Sequence, residues 1–153
     1  MIEVTRLVRA GTDAVFAVLA DGWTYPVWVV GTARVYHVDP DWPAVGSCLR
    51  HSLGAWPCQL RDVTRVRAVE PGRSLDLDVW MGWLGRAVVR LRLTERADGT
   101  EVGLAEQAVA GPAGWLPTAV QAPMWRPRNA ESLSRLADLV HGRVNPAGWP
   151  HPS

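Results

Sequence analysis

Two ionisable residues occupy positions from which they could take part in proton-transfer chemistry. In one strand-like segment His51 is in phase with the apolar Leu49, and in another Glu106 is in phase with Leu104. Because alternate residues of a strand share a face, both groups are predicted to lie on the dry side of a sheet. An ionisable group is costly to bury without a partner. A histidine there can act as a general acid or base, or anchor a carbonyl or hydroxyl, and a carboxylate can orient or protonate a partner.

A purely structural interpretation of His51 and Glu106 remains open. Either group could lie near the rim of the sheet, where the backbone, water or an arginine such as Arg90 or Arg128 would satisfy it. A β-bulge in the segment 47–53 would also reverse the side on which His51 lies.

Other kinds of catalytic site have little support in the sequence. Ser47 and Ser52 lie near His51, but no Gly-x-Ser-x-Gly elbow accompanies them. The four histidines are scattered, with no pair at i, i+4 spacing, and no glycine-rich phosphate loop leads from a strand into a helix. These patterns argue against hydrolases, metalloenzymes and nucleotide-dependent enzymes. We therefore expect neither a metal ion nor a cofactor.

The composition is typical of one globular domain with a single substantial core. The chain has 153 residues, of which 48% are hydrophobic and 20% charged. Sixteen basic residues, all arginine, nearly balance 15 acidic ones, so no nucleic-acid partner is expected and the charge that is typical of a membrane-surface protein is missing. Nine tryptophans against one phenylalanine suit either a core or the lining of a hydrophobic pocket.

Nothing in the sequence resembles a secretory leader or a membrane-spanning segment. The first residues lack a basic stretch followed by an apolar one, and no apolar run approaches the roughly 18 residues that a span requires. We therefore expect a cytoplasmic protein without membrane insertion, in which Cys48 and Cys58 are free thiols.

The elements that must position His51 and Glu106 follow from the hydrophobic period. Residues 2–10 predict a strand, Thr12 or Asp13 caps a short helix, and a second short helical piece covers residues 25–30. The period then changes to two, which predicts six more antiparallel strands at residues 32–38, 47–53, 59–69, 75–81, 86–93 and 101–109.

A C-terminal helix is predicted to cover the dry face of this sheet. It runs from Arg128 to His141, ends at Gly142, and carries an apolar stripe formed by Leu133, Leu136, Ala137 and Val140. Three prolines, at positions 117, 123 and 127, are expected to break or kink any earlier extension of it. The Pro-rich residues 143–153 are predicted to form a flexible tail.

The solvent-facing side of the predicted sheet carries arginines and one tryptophan that alternates with the apolar residues of its strand. Arg61, Arg65, Arg67, Arg86, Arg90 and Arg92 can pair with Asp76 and Asp78 on the strand between them. Trp80 also points to this side, where it would suit a homodimer contact.

This order of elements, together with several short motifs, resembles the START-related SRPBCC superfamily, which includes bacterial polyketide cyclase/dehydrase and lipid-transfer-like proteins. The motifs are Trp28-Val29-Val30-Gly31, Trp42-Pro43 with Gly46, Leu49-Arg50-His51 with Gly54, Asp62-Val63-Thr64 with Val69-Glu70-Pro71, Glu106 followed by Gly111-Pro112, and Arg128-Asn129-Ala130-Glu131-Ser132-Leu133. The resemblance implies an α+β helix-grip fold over residues 1–142. In such a fold a curved antiparallel sheet of about seven strands wraps a long C-terminal helix, with two short helices after the first strand.

The resemblance also implies a hydrophobic tunnel between sheet and helix that takes a small apolar or aromatic molecule. The predicted lining is Trp28, Leu49, His51, Trp56, Leu77, Met81, Val89, Leu91, Leu104, Glu106, Met124 and Leu133. The favoured function is binding of a lipid- or polyketide-like ligand for transport, sequestration or sensing. The alternatives are a polyketide cyclase, aromatase or dehydratase that uses His51 and Glu106 for proton transfer, and an assembly module without a ligand.

Overall fold

The computed structural model describes residues 1–54 and 60–146, and a seven-stranded antiparallel sheet is its main feature. The strands are β1 (Ile2–Val8), β2 (Thr32–Val38), β3 (Cys48–Leu53), β4 (Leu60–Glu70), β5 (Ser74–Trp80), β6 (Arg86–Arg96) and β7 (Gly99–Ala110). They lie in the order β1-β7-β6-β5-β4-β3-β2, so only the pairing of β1 with β7 joins strands distant in sequence.

Four α-helices within the described part of the chain accompany the sheet. They are α1 (Thr12–Leu19), α2 (Tyr25–Trp28), α3 (Gly111–Gly114) and α4 (Thr118–Val144), with 3₁₀ turns at Gly22–Thr24 and Gly82–Leu84. The predicted helix-grip fold, with two short helices after β1 and a long C-terminal helix, is confirmed. No helix within the described residues is both long enough and apolar enough to cross a membrane.

The core lies between the concave face of the sheet and one side of α4. Leu133, Leu136 and Val140 of α4 are fully buried, together with Leu75 and Leu91 of the sheet. Each such leucine contributes about 1.5–3 kcal/mol when it is withdrawn from water. The apolar stripe at i, i+3 and i+7 spacing therefore holds α4 against the sheet.

Helix α4 is longer than the sequence predicted at both ends. It begins at Thr118, ten residues before Arg128, and continues through Pro123 and Pro127 to Val144. Tertiary contacts hold the proline-containing half of α4 in place. The Gln121 side chain donates to the Leu116 carbonyl at 2.6 Å and to the Ala113 carbonyl at 3.3 Å, which ties the first turn of α4 to α3.

The predicted stop at Gly142 is wrong because this glycine has no left-handed conformation that would end a helix. The proposed tail therefore cannot begin at residue 143, and residues 147–153 lie outside the described residues.

A close backbone approach fixes the end of the sheet nearest to α3. Gly85 has φ of +117°, and a Cβ atom there would lie 1.9 Å from the carbonyl oxygen of Ala110. Only glycine fits this position, which joins the 3₁₀ turn Gly82–Leu84 to the end of β7.

The convex face is polar and paired in charge, as its sequence pattern predicted. Asp76 bonds to Arg92, and Asp78 bonds to Arg86 at 2.9 Å. Trp80 also lies on this side, where it is partly exposed and the Arg65 guanidinium covers its ring at 5.6 Å.

Candidate functional site

A cavity lies between the concave face of the sheet, α2 and α4. Its volume is about 70 Å³, within a recess of about 660 Å³ of empty space that includes open solvent at its mouth. The side chains around it are mainly apolar, with a few polar groups among them. The lining consists of Tyr25, Trp28, Val29, Thr32, His51, Leu53, Thr64, Leu77, Val79, Met81, Val89, Leu91, Leu104, Glu106, Arg128, Asn129 and Ser132.

His51 reaches the cavity from β3 and is buried. Its Nε2 atom lies 2.8 Å from Oγ1 of Thr64, whereas its Nδ1 atom has no hydrogen-bond partner among the described residues. Burial lowers the pKa of His51 from 6.5 to about 4, because the imidazolium would lose its hydration. The ring is therefore neutral near pH 7, and one of its nitrogens is available to a ligand.

Glu106 reaches the cavity from β7, where it is bound to an arginine of α4. Its Oε2 atom accepts a hydrogen bond from Nη1 of Arg128 at 2.8 Å. The Nε atom of Arg128 donates to the Val30 carbonyl at 2.9 Å, and Nη1 also reaches Oδ1 of Asn129 at 3.2 Å. This ion pair joins the sheet, α4 and the end of α2 around the cavity. Arg128 is one of the arginines that the sequence analysis named as a possible structural partner of Glu106.

His51 and Glu106 do not contact each other. Strands β3 and β7 are separated by β4, β5 and β6 in the sheet. Four strand-to-strand steps of roughly 4.8 Å place them at opposite sides of the cavity. Each has its own partner, so they can act on two ends of one ligand but cannot form a directly bonded pair.

Two further polar atoms of the lining are buried without a partner among the described residues. These are Nε1 of Trp28 and Nδ2 of Asn129. Both are hydrogen-bond donors, and leaving such a donor unpaired costs about 1–3 kcal/mol. With Nδ1 of His51, they are three unpaired polar atoms on residues that line the cavity.

The orientation of Trp28 comes from its neighbours on α2. Its ring meets the ring of Tyr25 edge-on, with centroids 5.0 Å apart. The Tyr25 hydroxyl donates to the Leu19 carbonyl at 3.2 Å, and burial raises the pKa of this hydroxyl. Ser132 of α4 fixes the following segment by accepting a hydrogen bond from the Val30 N–H at 3.0 Å. The unpaired Trp28 donor is thus held in place by packing on several sides.

Sequence reasoning missed Asp62, which lies directly opposite His51 in the pairing of β3 with β4. Opposed residues share a face, so this carboxyl belongs to the concave side, where it is 5% exposed. Neither oxygen makes a hydrogen bond of good geometry among the described residues. Burial raises the pKa of Asp62 from 3.8 to about 6, and the nearby backbone N–H of Gly82 offsets part of this effect. The sequence could have identified Asp62. Arg61 and Arg65 were predicted to face solvent, and Asp62 lies an odd number of residues from both, so alternation assigns it to the concave face.

Most of the residues predicted to line the tunnel do lie on the cavity wall. Eight of the twelve do so, namely Trp28, His51, Leu77, Met81, Val89, Leu91, Leu104 and Glu106. The placement of the other four differs. Leu49 and Leu133 belong to the solid core, and Leu49 is wedged near Gly22 and Val38, away from the cavity.

Met124 is 66% exposed because it lies on the solvent side of α4, so its assignment to the lining is wrong. Trp56 lies outside the described residues. The polar lining residues Thr64, Arg128, Asn129 and Ser132 were not predicted to face the cavity. The period of α4 could have identified the last two, since they precede the buried Leu133 and Leu136 on nearly the same face.

Comparison with known proteins assigns the chain to a family. Residues 1–141 match the model of the family described as polyketide cyclase/dehydrase and lipid transport. The chain belongs to this family. No match was found among proteins of curated function.

Solved structures with the same fold include two aromatase/cyclases. The Zhui aromatase/cyclase from Streptomyces sp. R1128 has a TM-score of 0.69 at 20% identity, with 97% of this chain and 98% of that chain covered. The di-domain aromatase/cyclase StfQ of the steffimycin biosynthetic pathway has a TM-score of 0.72 at 13% identity, with 94% of this chain and 51% of that chain covered. A protein from Rhodobacter sphaeroides has a TM-score of 0.71 at 22% identity, with 92% and 91% covered. At these identities the likeness establishes the fold of this family member, and its chemistry must be argued from the site.

The described residues offer no cluster for a metal ion. Within residues 1–54 and 60–146, no three side chains of histidine, cysteine, aspartate or glutamate lie close enough to share one.

Proposed function

We propose that the protein binds a small, mainly apolar aromatic or lipid-like molecule that carries at least one hydrogen-bond acceptor, in the cavity between the sheet and α4. The observation that carries the proposal is the set of unpaired polar atoms on residues of a mainly apolar wall, Trp28 Nε1, Asn129 Nδ2 and His51 Nδ1. A pure hydrocarbon would leave all three unsatisfied, whereas a carbonyl or hydroxyl oxygen would satisfy the donors. Such binding serves transport, sequestration or sensing, and the lipid-transport half of the family description supports it.

The size of the cavity limits how the ligand enters. An apolar cavity of about 150 Å³ binds benzene, and the cavity here has about half that volume, about 70 Å³. The ligand therefore inserts a narrow end, such as a chain or the edge of one ring, and its remainder occupies the wider recess. A larger insertion requires outward movement of α2 or α4.

The first experiment is native mass spectrometry of the purified protein, followed by solvent extraction of any molecule that is released. A co-purifying apolar or aromatic compound with a carbonyl or hydroxyl group is the expected result. A protein that is empty and also binds none of the probes described next would refute the proposal and favour the assembly module without a ligand.

The second experiment tests the unpaired donor of Trp28. Acetophenone and ethylbenzene have similar shapes, but only the first carries an acceptor. Trp28→Phe keeps an aromatic ring and removes the Nε1–H donor. It should weaken acetophenone binding by up to about tenfold, the equivalent of one hydrogen bond, and leave ethylbenzene binding nearly unchanged. Trp80→Phe on the convex face is the matched control, and calorimetric titration is the assay.

A second candidate function is proton-transfer catalysis of the cyclase, aromatase or dehydratase type. The specific observation in its favour is that His51 is a buried neutral imidazole with an unpaired nitrogen on the cavity wall. His51 would remove a proton from a polyketide-like chain, and Glu106 with Arg128 would orient a carbonyl at the other side. His51→Ala should then abolish turnover of such a chain while ligand binding persists. Full activity of this variant would show that His51 is not the base.

A further inference from the structure

Exposed apolar side chains form a surface beside the cavity, at the end of the molecule where β7, α3 and the start of α4 meet. We call it the tryptophan surface and define it as Trp83, Val109, Trp115, Leu116, Val120 and Met124. Trp115 is 80% exposed, Trp83 71% and Met124 66%. Isolated exposed apolar residues are ordinary, but two nearly free indole rings among four aliphatic side chains indicate an interaction surface.

The backbone holds the elements of this surface together. Helix α3 packs against both β7 and the turn Gly82–Leu84 that carries Trp83. The contact of Gly85 with Ala110 fixes that turn to the end of β7. The Gln121 side chain donates to the Leu116 carbonyl, which fixes the segment between Trp115 and α4. The two tryptophans are therefore presented by a packed scaffold.

The two chain segments that build the tryptophan surface carry arginine and no acidic residue, and the Asp62 carboxyl beside Gly82 is buried. No aspartate or glutamate occurs between Glu106 and Glu131, nor between Asp78 and Glu95, so both segments that build the surface lack acidic residues. Arg126 is exposed two residues beyond Met124 on α4, so its side chain leaves the helix on a different face from that of Met124. Exposed indole rings with arginine and without carboxylates match the interface of a bilayer that contains anionic lipids, where tryptophan lies at headgroup level and arginine pairs with phosphate.

The surface adjoins the wall of the cavity. Met81 precedes the turn that carries Trp83, Arg128 follows Met124 by one turn of α4, and both residues line the cavity. An apolar ligand could therefore pass between a bilayer and the cavity over a short path. This link to the ligand rests on the proposed function, whereas the docking itself does not.

We propose that the tryptophan surface docks on the interface of a lipid bilayer with anionic headgroups. Trp83 and Trp115 enter the headgroup layer, and Arg126 contacts the phosphates. The docking is peripheral and needs no inserted segment, in keeping with the expectation of no membrane insertion. A bilayer is a better occupant than a protein partner because the exposed groups are large apolar side chains with one cation and no set of polar partners of fixed geometry.

Vesicle sedimentation tests the proposal on the full chain without any cavity ligand. One set of vesicles contains phosphatidylcholine with phosphatidylglycerol, and a second contains phosphatidylcholine alone. The wild type should bind the anionic vesicles more tightly, with a shift of tryptophan emission to shorter wavelength. The double variant Trp83→Ser/Trp115→Ser should lower the partition coefficient at least about tenfold. Both side chains are largely exposed, so the thermal midpoint should stay close to that of the wild type.

Trp23→Ser is the matched control. Trp23 is 58% exposed and lies in the 3₁₀ turn Gly22–Thr24, whose neighbours are α1, α2 and β2. This variant should bind vesicles like the wild type, and a loss equal to that of the double variant would overturn the assignment of the surface.

Three other results would also overturn the proposal. They are no binding of the wild type to either vesicle, undiminished binding of the double variant, and a dimer in sedimentation velocity that the double variant loses while neither protein binds vesicles. The last result would assign the surface to a second copy of the chain. Because no cavity ligand is used, failure here leaves the proposed ligand binding standing, and failure of ligand binding leaves this result standing.

Discussion

Replacing Asp62 by asparagine should stabilise the protein in alkaline solution and have no effect in acid. The Asp62 carboxyl is buried, and its pKa is raised from 3.8 to about 6. Above pH 6 the folded protein must hold a buried carboxylate, whereas the unfolded chain ionises freely from pH 3.8. Folding stability is therefore lost as the pH rises from about 4 through 6, and asparagine, which cannot ionise, avoids that loss.

The magnitude follows from the size of the shift. A change of about two pKa units corresponds to about 3 kcal/mol at roughly 1.4 kcal/mol per unit. For a chain of 153 residues, each kcal/mol moves the thermal midpoint by roughly 2–4 °C. Asp62→Asn should therefore raise the midpoint by roughly 6–12 °C at pH 8, and the difference should vanish below about pH 4.

The neighbouring His51 has a pH dependence of the opposite sign. Its pKa is lowered to about 4, so the unfolded chain takes up a proton between pH 6.5 and 4 that the fold excludes. In the wild type the two effects largely cancel in this range. In Asp62→Asn the His51 effect stands alone, and stability should fall steeply as the pH drops from 6.5 to 4.

Urea denaturation of both proteins between pH 4 and pH 8, followed by circular dichroism, measures these differences. Asp98→Asn is the control, because Asp98 is exposed in the hairpin between β6 and β7. An Asp62→Asn variant that is equal to or less stable than the wild type at pH 8 would refute the argument that burial of the Asp62 carboxylate outweighs its stabilisation by the Gly82 N–H.

Two further substitutions test the packing around the site. Arg128→Met leaves the buried Glu106 without its cation and should lower the free energy of unfolding by roughly 3–5 kcal/mol. Adding Glu106→Gln should restore most of that loss, as measured by urea denaturation. A double variant that is no more stable than Arg128→Met would contradict the ion-pair argument. Gly85→Ala should lower the free energy of unfolding by more than about 2 kcal/mol, because its Cβ would overlap the Ala110 carbonyl. Gly46 also has a positive φ, but a Cβ there would have no atom within 4 Å. Gly46→Ala should therefore show only the backbone strain of about 1–2 kcal/mol. Equal losses at the two glycines in thermal melts would count against the close approach.

The strands were predictable because alternation is a local property. The bounds of β2, Thr32–Val38, agree with the prediction at both ends, and β6 and β7 differ mainly in extending farther toward their shared hairpin. Parity also assigned His51 and Glu106 to the concave face, where the structure has them.

Alternation could not predict whether a residue of the concave face lies in the solid core or on the cavity wall. Leu49 and Leu53 share a face of β3, but only Leu53 reaches the cavity, because the 3₁₀ turn at Gly22 fills the space beside Leu49. Parity gives the side of the sheet, whereas the distance of a residue from α2 and α4 decides between core and cavity wall.

The start of α4 could not be predicted from propensity alone. Prolines at positions 123 and 127 argue locally against a helix, and the contacts of Gln121 with α3 are tertiary. Packing therefore outweighed a local signal that would have ended the helix.

The two prolines divide α4 into halves that differ in cooperativity. Pro123 and Pro127 have no N–H to donate, so the carbonyls of Ala119 and Pro123 receive no hydrogen bond from them. The half beyond Asn129 contains no proline that would interrupt its backbone hydrogen bonds, and it carries the fully buried leucines. Amide hydrogen exchange should then proceed through two separate openings, a frequent one confined to the first ten residues and a rare one that coincides with global unfolding. The α4 residues that line the cavity, Arg128, Asn129 and Ser132, lie directly after the half that opens often. Widening the cavity for a ligand would therefore draw on a sub-global fluctuation, with the rest of the fold left intact.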